Sequence, residues 1–229
     1  MSASASVRAT VAGFAVLTGV AVAQAPGGDV EHQPEVRQVS GTIYEIGRIR
    51  IDTAQQRFEL PGRVLRRDPP LEYLAVARGG AKGYESLLEL EATAFEFNLA
   101  CILIGLDAER SHLPQYQFHA DPVDGQRVAI EFEWTSDGQS RSASAAESLQ
   151  AGGESVSDNE WVYTGSTSFN GQYLAHISGT LIGFVHDPSS VIEHARGLGI
   201  GNYGLIGGNV SLLPPEGTDI RLVVKLLDD

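Results

Sequence analysis

The sequence predicts an α+β fold, in which one buried helix packs on a mostly antiparallel β-sheet and short helices lie at the periphery. Stretches that alternate apolar and polar residues outnumber helical stretches, and such alternation is typical of strands with one buried face. Turn sequences such as Asp137-Gly138 and Asn170-Gly171 separate several of these stretches, and they favour antiparallel hairpins. One longer stretch, residues 92–105, is apolar on most sides of a helix.

The first 23 residues have the features of a signal peptide. Arg8 precedes an uncharged, hydrophobic run over residues 9–23, which ends in Ala21-Val22-Ala23, a pattern that signal peptidases cleave. The run is shorter than the ~20 apolar residues of a membrane-spanning helix. We therefore predict cleavage after Ala23, export to the periplasm or the exterior, and a mature form without a membrane span.

A flexible spacer is predicted over residues 24–41, which are rich in Pro, Gly, Gln and charge. A single domain is expected over residues 42–229, with structure beginning near Thr42. Its predicted strands cover residues 48–52, 57–60, 71–77, 86–91, 127–135, 161–166, 173–177, 181–185, 210–213 and 220–227. Short helices are predicted over residues 143–150 and 187–196.

The main helix is predicted to be buried because it carries two apolar faces. One face comprises Phe95, Leu99, Ile102, Leu103 and Leu106, and the second comprises Phe97, Cys101 and Ile104. Thr93 can cap the start of this helix and Gly105 can end it. Cys101, the one cysteine of the chain, is expected to be a small buried hydrophobe rather than a reactive thiol.

The composition argues against several classes of partner. A formal net charge of −13 at pH 7 repels phosphates and anionic lipid head groups, so nucleic acid and membrane surfaces are not expected partners. A single cysteine rules out an intramolecular disulfide.

Sequence motifs that suggest chemistry have simpler interpretations here. Residues 199–204 match the Gly-x-Gly-x-x-Gly dinucleotide fingerprint, but the strand before it and the helix after it are not predicted. Glu131 and Glu133 lie on the polar face of a predicted strand, and the pairs His186-Asp187 and Glu193-His194 fit no common metal-ligand spacing. We therefore predict no cofactor, no metal and no catalytic set of residues.

Several stretches together resemble one protein family. They are Phe58-Glu59-Leu60-Pro61-Gly62, Leu71-Glu72-Tyr73-Leu74 before Gly79-Gly80, the helix ending Leu103-Ile104-Gly105-Leu106, Trp161-Val162-Tyr163-Thr164-Gly165-Ser166, and Pro215-Glu216-Gly217-Thr218. In this order they are similar to the YdjY-domain proteins, exported bacterial proteins of unknown function, over residues 49–227. Relatives often carry His-Glu-Ser where this chain has Tyr84-Glu85-Ser86, and His at the position of Asn98. If those histidines perform metal or proton chemistry in the family, this chain lacks both.

We expect a non-enzymatic domain that binds a small ligand or an envelope protein. The favoured surface is the loop over residues 79–86, and residues 161–166 are a candidate neighbour of that loop. The candidate binding residues are Tyr84, Glu85, Ser86, Asn98, Trp161, Ser166 and His176, the last expected in the middle of a strand. One alternative is an envelope metalloprotein or enzyme that uses His176, Glu85 or the pair His186/His194. Another is a structural component of a cell-envelope assembly.

Overall fold

The structure is a computed structural model, which describes residues 34–201 and 204–228. The predicted signal peptide lies outside the described residues. Within them, the strands are β1 (Val36–Ser40), β2 (Ile43–Ile46), β3 (Ile49–Asp52), β4 (Arg57–Val64), β5 (Tyr73–Ala77), β6 (Ser86–Leu90), β7 (Gln126–Ser136), β8 (Gln139–Ser144), β9 (Leu149–Ala151), β10 (Glu154–Ser155), β11 (Trp161–Tyr163), β12 (Ser168–Phe169), β13 (Gln172–Tyr173), β14 (Thr180–Gly183), β15 (Ile192–His194), β16 (Ile206–Gly208) and β17 (Asp219–Leu226). The helices of this part are α1 (Ala94–Leu103) and α2 (Leu174–Ser178), with single 3-10 turns at Gly83–Glu85 and Ala108–Arg110.

Eight strands close into a barrel. Their order is β4-β17-β7-β11-β15-β14-β5-β6, and β6 pairs back to β4. Neighbouring strands are antiparallel except for the pairs β14–β15 and β5–β6, which are parallel. The alternation of the strands fills the interior: Ile220, Leu222 and Val224 of β17 are buried, whereas Arg221 is exposed. The alternation predicted for β7 is confirmed, because Val128, Ile130, Phe132 and Trp134 are all buried.

The predicted α+β class is wrong, because the chain is a mostly-β barrel. Strands contain 41 % and helices 11 % of the described residues. The physical reason is closure: a sheet that closes on itself fills its interior with its own side chains, so it leaves no open face for a helix to cover. The predicted buried helix at 92–105 therefore packs beside the barrel instead.

Helix α1 buries one of its two apolar faces fully and the other only in part. It packs against β3, β14 and α2, and the ring of Phe97 meets that of Phe58 edge to face at 5.3 Å. Cys101 lies on the same buried face, as predicted, while Ile102 is half exposed. The predicted cap is confirmed: the Thr93 hydroxyl accepts from the Glu96 backbone N–H, and the Glu96 carboxylate accepts from that of Thr93.

Strands β1, β2 and β3 form a meander that joins the barrel at β4. Strand β1 lies inside the predicted spacer 24–41 and pairs antiparallel with β2. Regular structure therefore begins before Thr42, although all of β1 is exposed. Of the described residues, no helix is both long and apolar enough to cross a bilayer.

Several short elements differ from the sequence predictions. Residues 174–178 form helix α2 rather than a strand, and residues 192–194 form strand β15 rather than the end of a helix. Residues 143–150 form the end of one strand, a turn over residues 145–148 and the start of the next strand, and residues 210–213 form a turn. Segments this short follow their tertiary contacts rather than their own propensity.

Candidate functional site

The parallel pairing of β5 with β6 places two acidic residues side by side. Tyr73 and Ser86 are register partners, and Glu72 and Glu85 immediately precede them in the chain. The Glu72 backbone N–H donates to the carbonyl oxygen of Glu85 at 2.9 Å. Both glutamates are almost fully buried. The loop between the strands, which contains the predicted surface, therefore returns Glu85 to the start of β5.

These two glutamates line a cavity of about 620 Å³, which we call the acidic pocket. Its walls come from four separate parts of the chain. The lining residues are Glu72, Lys82, Tyr84, Glu85, Gln117, Phe118, Gly199, Ile200 and Gly201. Tyr84 is 63 % exposed, so its ring is accessible to a ligand. The first two glycines of the rejected dinucleotide motif, Gly199 and Gly201, thus form part of one wall.

Hydrogen bonds fix the polar groups of the acidic pocket. The Lys82 ammonium donates to Glu85 Oε1 at 2.7 Å and lies 5.7 Å and 5.8 Å from the ring centroids of Tyr73 and Tyr84. Gln117 Nε2 donates to Glu72 Oε2 at 3.0 Å. Behind it, the Tyr73 hydroxyl donates to Asp187 Oδ2 at 2.6 Å.

The electrostatics of the pocket are dominated by carboxyl groups. Burial raises the pKa of Glu72, and the negative charges of Glu85 and then Asp187 raise it further. Burial opposes the charged form of Lys82, but the hydrogen bond and charge of Glu85 outweigh it and raise its pKa. Burial and Asp187 raise the pKa of Tyr73, which therefore remains a neutral hydrogen-bond donor. Glu72 thus takes up a proton at a higher pH than a free glutamate.

Strained backbone supports the wall beside Gln117. Phe118 and His186 have φ angles of 64° and 61°, a region that non-glycine residues rarely adopt. The Phe118 backbone N–H donates to the carbonyl oxygen of His186. Such strain is concentrated at binding sites in proteins, where the surrounding structure maintains it.

A model of the YdjY domain matches residues 49–225 of this chain. The chain belongs to the YdjY-domain family. The resemblance predicted from the sequence is therefore confirmed, and the matched range includes every described residue that lines the acidic pocket. No curated protein and no solved structure matches the chain.

The predicted binding residues of this YdjY domain fall into separate places. Tyr84 and Glu85 line the acidic pocket. Ser86 is buried beneath it, and its hydroxyl donates to the Lys82 carbonyl oxygen at 2.7 Å, which fixes the loop. The Ser166 hydroxyl donates to the backbone carbonyl oxygens of Pro188 and Ser189.

Asn98 and Trp161 have structural contacts in the YdjY domain. Asn98 Oδ1 accepts from the Tyr163 hydroxyl at 2.7 Å. Trp161 is buried, and its indole N–H donates to Asn159 Oδ1 at 2.8 Å. Residues 161–166 therefore do not join the acidic pocket.

His176 lies at a different cavity, of about 590 Å³. It belongs to α2 instead of the predicted strand, and its ring lies 4.7 Å from that of Phe95. Arg48 and Arg78 line the same cavity and both pair with Glu91, at 3.3 Å and 3.0 Å. The loop over residues 79–86 thus has its first residues at this cavity and its last residues at the acidic pocket.

The metalloprotein alternative requires histidines that converge at an open position, and the described residues do not provide this. His186 and His194 are fully buried, and each ring contacts backbone carbonyl oxygens. Burial lowers the pKa of His194. Among the residues at 34–201 and 204–228, no three His, Cys, Asp or Glu side chains are placed to hold a metal ion.

Sequence reasoning did not single out the polar residues Glu72 and Gln117 of the acidic pocket, and it included Lys82 only as part of the loop over residues 79–86. A signal existed for Glu72, because it is the one charged residue in the otherwise uncharged stretch over residues 71–77. Charged residues are rarely buried in a strand unless they are paired. Gln117 lies in a loop without periodicity, so its sequence context gave no such signal.

Proposed function

We propose that this YdjY domain is an exported, non-enzymatic protein that binds a small polar ligand in the acidic pocket. One observation carries the proposal: the exposed ring of Tyr84 lies at the mouth of a cavity whose inner wall holds the carboxyl groups of Glu72 and Glu85. An aromatic surface beside a few fixed polar groups is the usual composition of a ligand site.

The order of the pocket supports a binding role. Lys82 and Gln117 are each fixed by a carboxylate partner, and the strained residues Phe118 and His186 hold the adjacent wall. A site that is ordered before the ligand arrives loses less conformational entropy on binding. The cavity volume also lies within the roughly 300–1,000 Å³ typical of small-molecule sites.

The chemistry of the lining favours binding over catalysis. Its described side chains include carboxyl groups, an amide, an ammonium and two aromatic rings, but no serine, cysteine or histidine that pairs with a base. Covalent catalysis needs a nucleophile within hydrogen-bond reach of a general base. Export is supported by the uncharged run before Ala23.

A ligand-retention experiment tests the proposal. The purified protein is incubated with a small-molecule extract of bacterial periplasm, separated from free material and weighed by native mass spectrometry. We expect a bound mass that is lost from the Tyr84→Ala variant. The matched control is Phe169→Ala, which removes a ring that is 66 % exposed in the β12–β13 hairpin. Equal bound mass in both variants, or none in the wild type, contradicts the proposal.

A second candidate function is a structural role in an envelope assembly. It is favoured by β1, which pairs only with β2 among the described strands and exposes Val36 and Val39. Exposed edge strands pair readily with other chains. Light scattering of the Val36→Lys, Val39→Lys double variant tests this: an oligomer in the wild type that dissociates in the variant supports it, and a monomeric wild type contradicts self-assembly.

A further inference from the structure

The chain places one of its own ammonium groups in the acidic pocket. Lys82 Nζ lies 2.7 Å from Glu85 Oε1 and faces two tyrosine rings, at 5.7 Å from the centroid of Tyr73 and 5.8 Å from that of Tyr84. A carboxylate combined with two aromatic faces is a favourable environment for an ammonium ion. The pocket therefore contains a subsite that already binds a primary ammonium.

The charges around this subsite are not balanced. Lys82 is the one cation among the described residues that line the pocket. It faces the carboxyl groups of Glu72 and Glu85, and Asp187 acts on Glu72 from behind. A second positive charge would therefore be attracted to the pocket, whereas a second negative charge would be repelled.

The Lys82 side chain can leave without disturbing the fold. Its backbone carbonyl oxygen accepts from Ser86 Oγ at 2.7 Å and from the Glu85 backbone N–H at 3.2 Å, so the loop stays in place when the side chain moves. Glu85 is the side chain to which its ammonium is bound. Lysine has a long, flexible stem. The neighbouring Tyr84 is exposed to solvent, so the Lys82 side chain can move out on that side.

We infer that the ligand of the acidic pocket carries a primary ammonium group, which replaces that of Lys82 between Glu85 and the tyrosine rings. This rests on the proposed function and specifies its ligand class. Lys82 is then a tethered competitor that occupies the subsite in the free protein. Glu72 and Gln117 contact the part of the ligand beyond its ammonium group.

Calorimetric titration with cadaverine (1,5-diaminopentane) at fixed ionic strength tests this inference. The wild type is expected to bind the amine. Lys82→Ala and Lys82→Met should bind about tenfold tighter or more, because a tethered competitor acts at high effective concentration. Glu85→Gln should lose binding, and Tyr84→Ala should weaken it about threefold or more, since a cation–π contact is lost.

Two controls separate this site from general attraction by an acidic protein. Arg78→Ala changes the net charge as Lys82→Ala does, but Arg78 lies at the other cavity. The Arg78→Ala variant should therefore bind cadaverine with the same affinity as the wild type. The second control is 1,5-pentanediol, which has the same length without charge and should not bind. Circular dichroism identifies any variant that fails to fold, and Lys82→Met retains the stem if Lys82→Ala does not fold.

Three results would overturn the inference. They are no binding of cadaverine to the wild type, binding to the Lys82 variants alone, and equal binding by Glu85→Gln and the wild type. If the mass-spectrometry experiment instead yields a Tyr84-dependent ligand without an amine, the binding function stands and the ammonium inference fails. If neither experiment detects Tyr84-dependent binding, both fail.

Discussion

Nε2 of His186 lies 2.9 Å from the carbonyl oxygen of His194, and Nδ1 of the same ring lies 2.7 Å from the carbonyl oxygen of His119. A carbonyl oxygen only accepts hydrogen bonds, so the ring nitrogen is the donor wherever one of these contacts is a hydrogen bond. The fully buried ring ties β15 to the loop that carries Gln117 and so positions one wall of the acidic pocket.

Replacing His186 with phenylalanine should destabilise the protein by about 1–3 kcal/mol, because the ring no longer donates a hydrogen bond to a buried carbonyl oxygen beside it. Urea unfolding measures this, with His176→Phe as the control because His176 is exposed. Equal destabilisation by the two substitutions would show that the His186 ring does not tie β15 to this loop.

Glu193 should make stability fall as the pH rises. Its side chain is fully buried on β15, and burial followed by the charge of Asp187 keeps its pKa well above the ordinary value. The native state therefore retains a proton that the unfolded chain releases above about pH 4.5. Between that pH and the raised native pKa, the free energy of unfolding decreases with a slope approaching about 1.4 kcal/mol per pH unit for this proton.

The Glu193→Gln variant isolates this effect. Its amide can keep the hydrogen bond that Glu193 Oε1 accepts from the Asp187 backbone N–H and carries no titrating proton. We expect the free energy of unfolding in urea to change less with pH for the variant than for the wild type. The variant should exceed the wild type in stability most at alkaline pH. Parallel profiles for the two proteins would show that Glu193 does not hold a proton in the native state.

Asn98 should contribute to stability and leave ligand retention unchanged. The buried Tyr163 hydroxyl donates to Asn98 Oδ1 at 2.7 Å, and burial raises the pKa of Tyr163. Asn98→Ala should cost about 1–3 kcal/mol, because a buried donor loses its acceptor. Tyr163→Phe removes that donor, so the double variant should be less destabilised than the sum of the two single variants. If a folded Asn98→Ala protein lost the bound ligand, this prediction would be wrong and Asn98 would contribute to ligand binding.

Alanine at Gly179 should destabilise the protein much more than alanine at Gly138. The two glycines have almost the same φ, 75° and 74°, so the backbone strain is matched. A Cβ at Gly179 would lie 2.5 Å from the Gly80 Cα, whereas a Cβ at Gly138 has no heavy atom within 4 Å. Displacing a packed backbone adds about 1–3 kcal/mol, which urea unfolding of the two variants measures. Equal destabilisation of the two variants would mean that the backbone at Gly80 can shift at little cost in free energy.

Part of the acidic pocket could be predicted because its residues are consecutive. Tyr84 and Glu85 lie between a glycine-rich stretch and a strand-forming stretch. Turn chemistry and the family resemblance therefore both indicate these two residues. Glu72 and Gln117 join them only through the pairing of β5 with β6 and the fold of a separate loop. The contacts of Asn98 with Tyr163 and of Trp161 with Asn159 could not be predicted, because side-chain partners are decided by packing.

The sequence by itself determined the local features of this protein: the alternation of β7, the cap of α1 at Thr93, the burial of Cys101 and the membership of the YdjY-domain family. These depend on neighbouring residues, or on their order along the chain. Only the tertiary structure decided that the sheet closes, because closure depends on pairings such as Val64 with Leu88 and Leu60 with Leu222. Such contacts between residues far apart in the chain leave no periodic pattern in the sequence, and they also determine which face of α1 is buried and which carboxyl groups share a pocket.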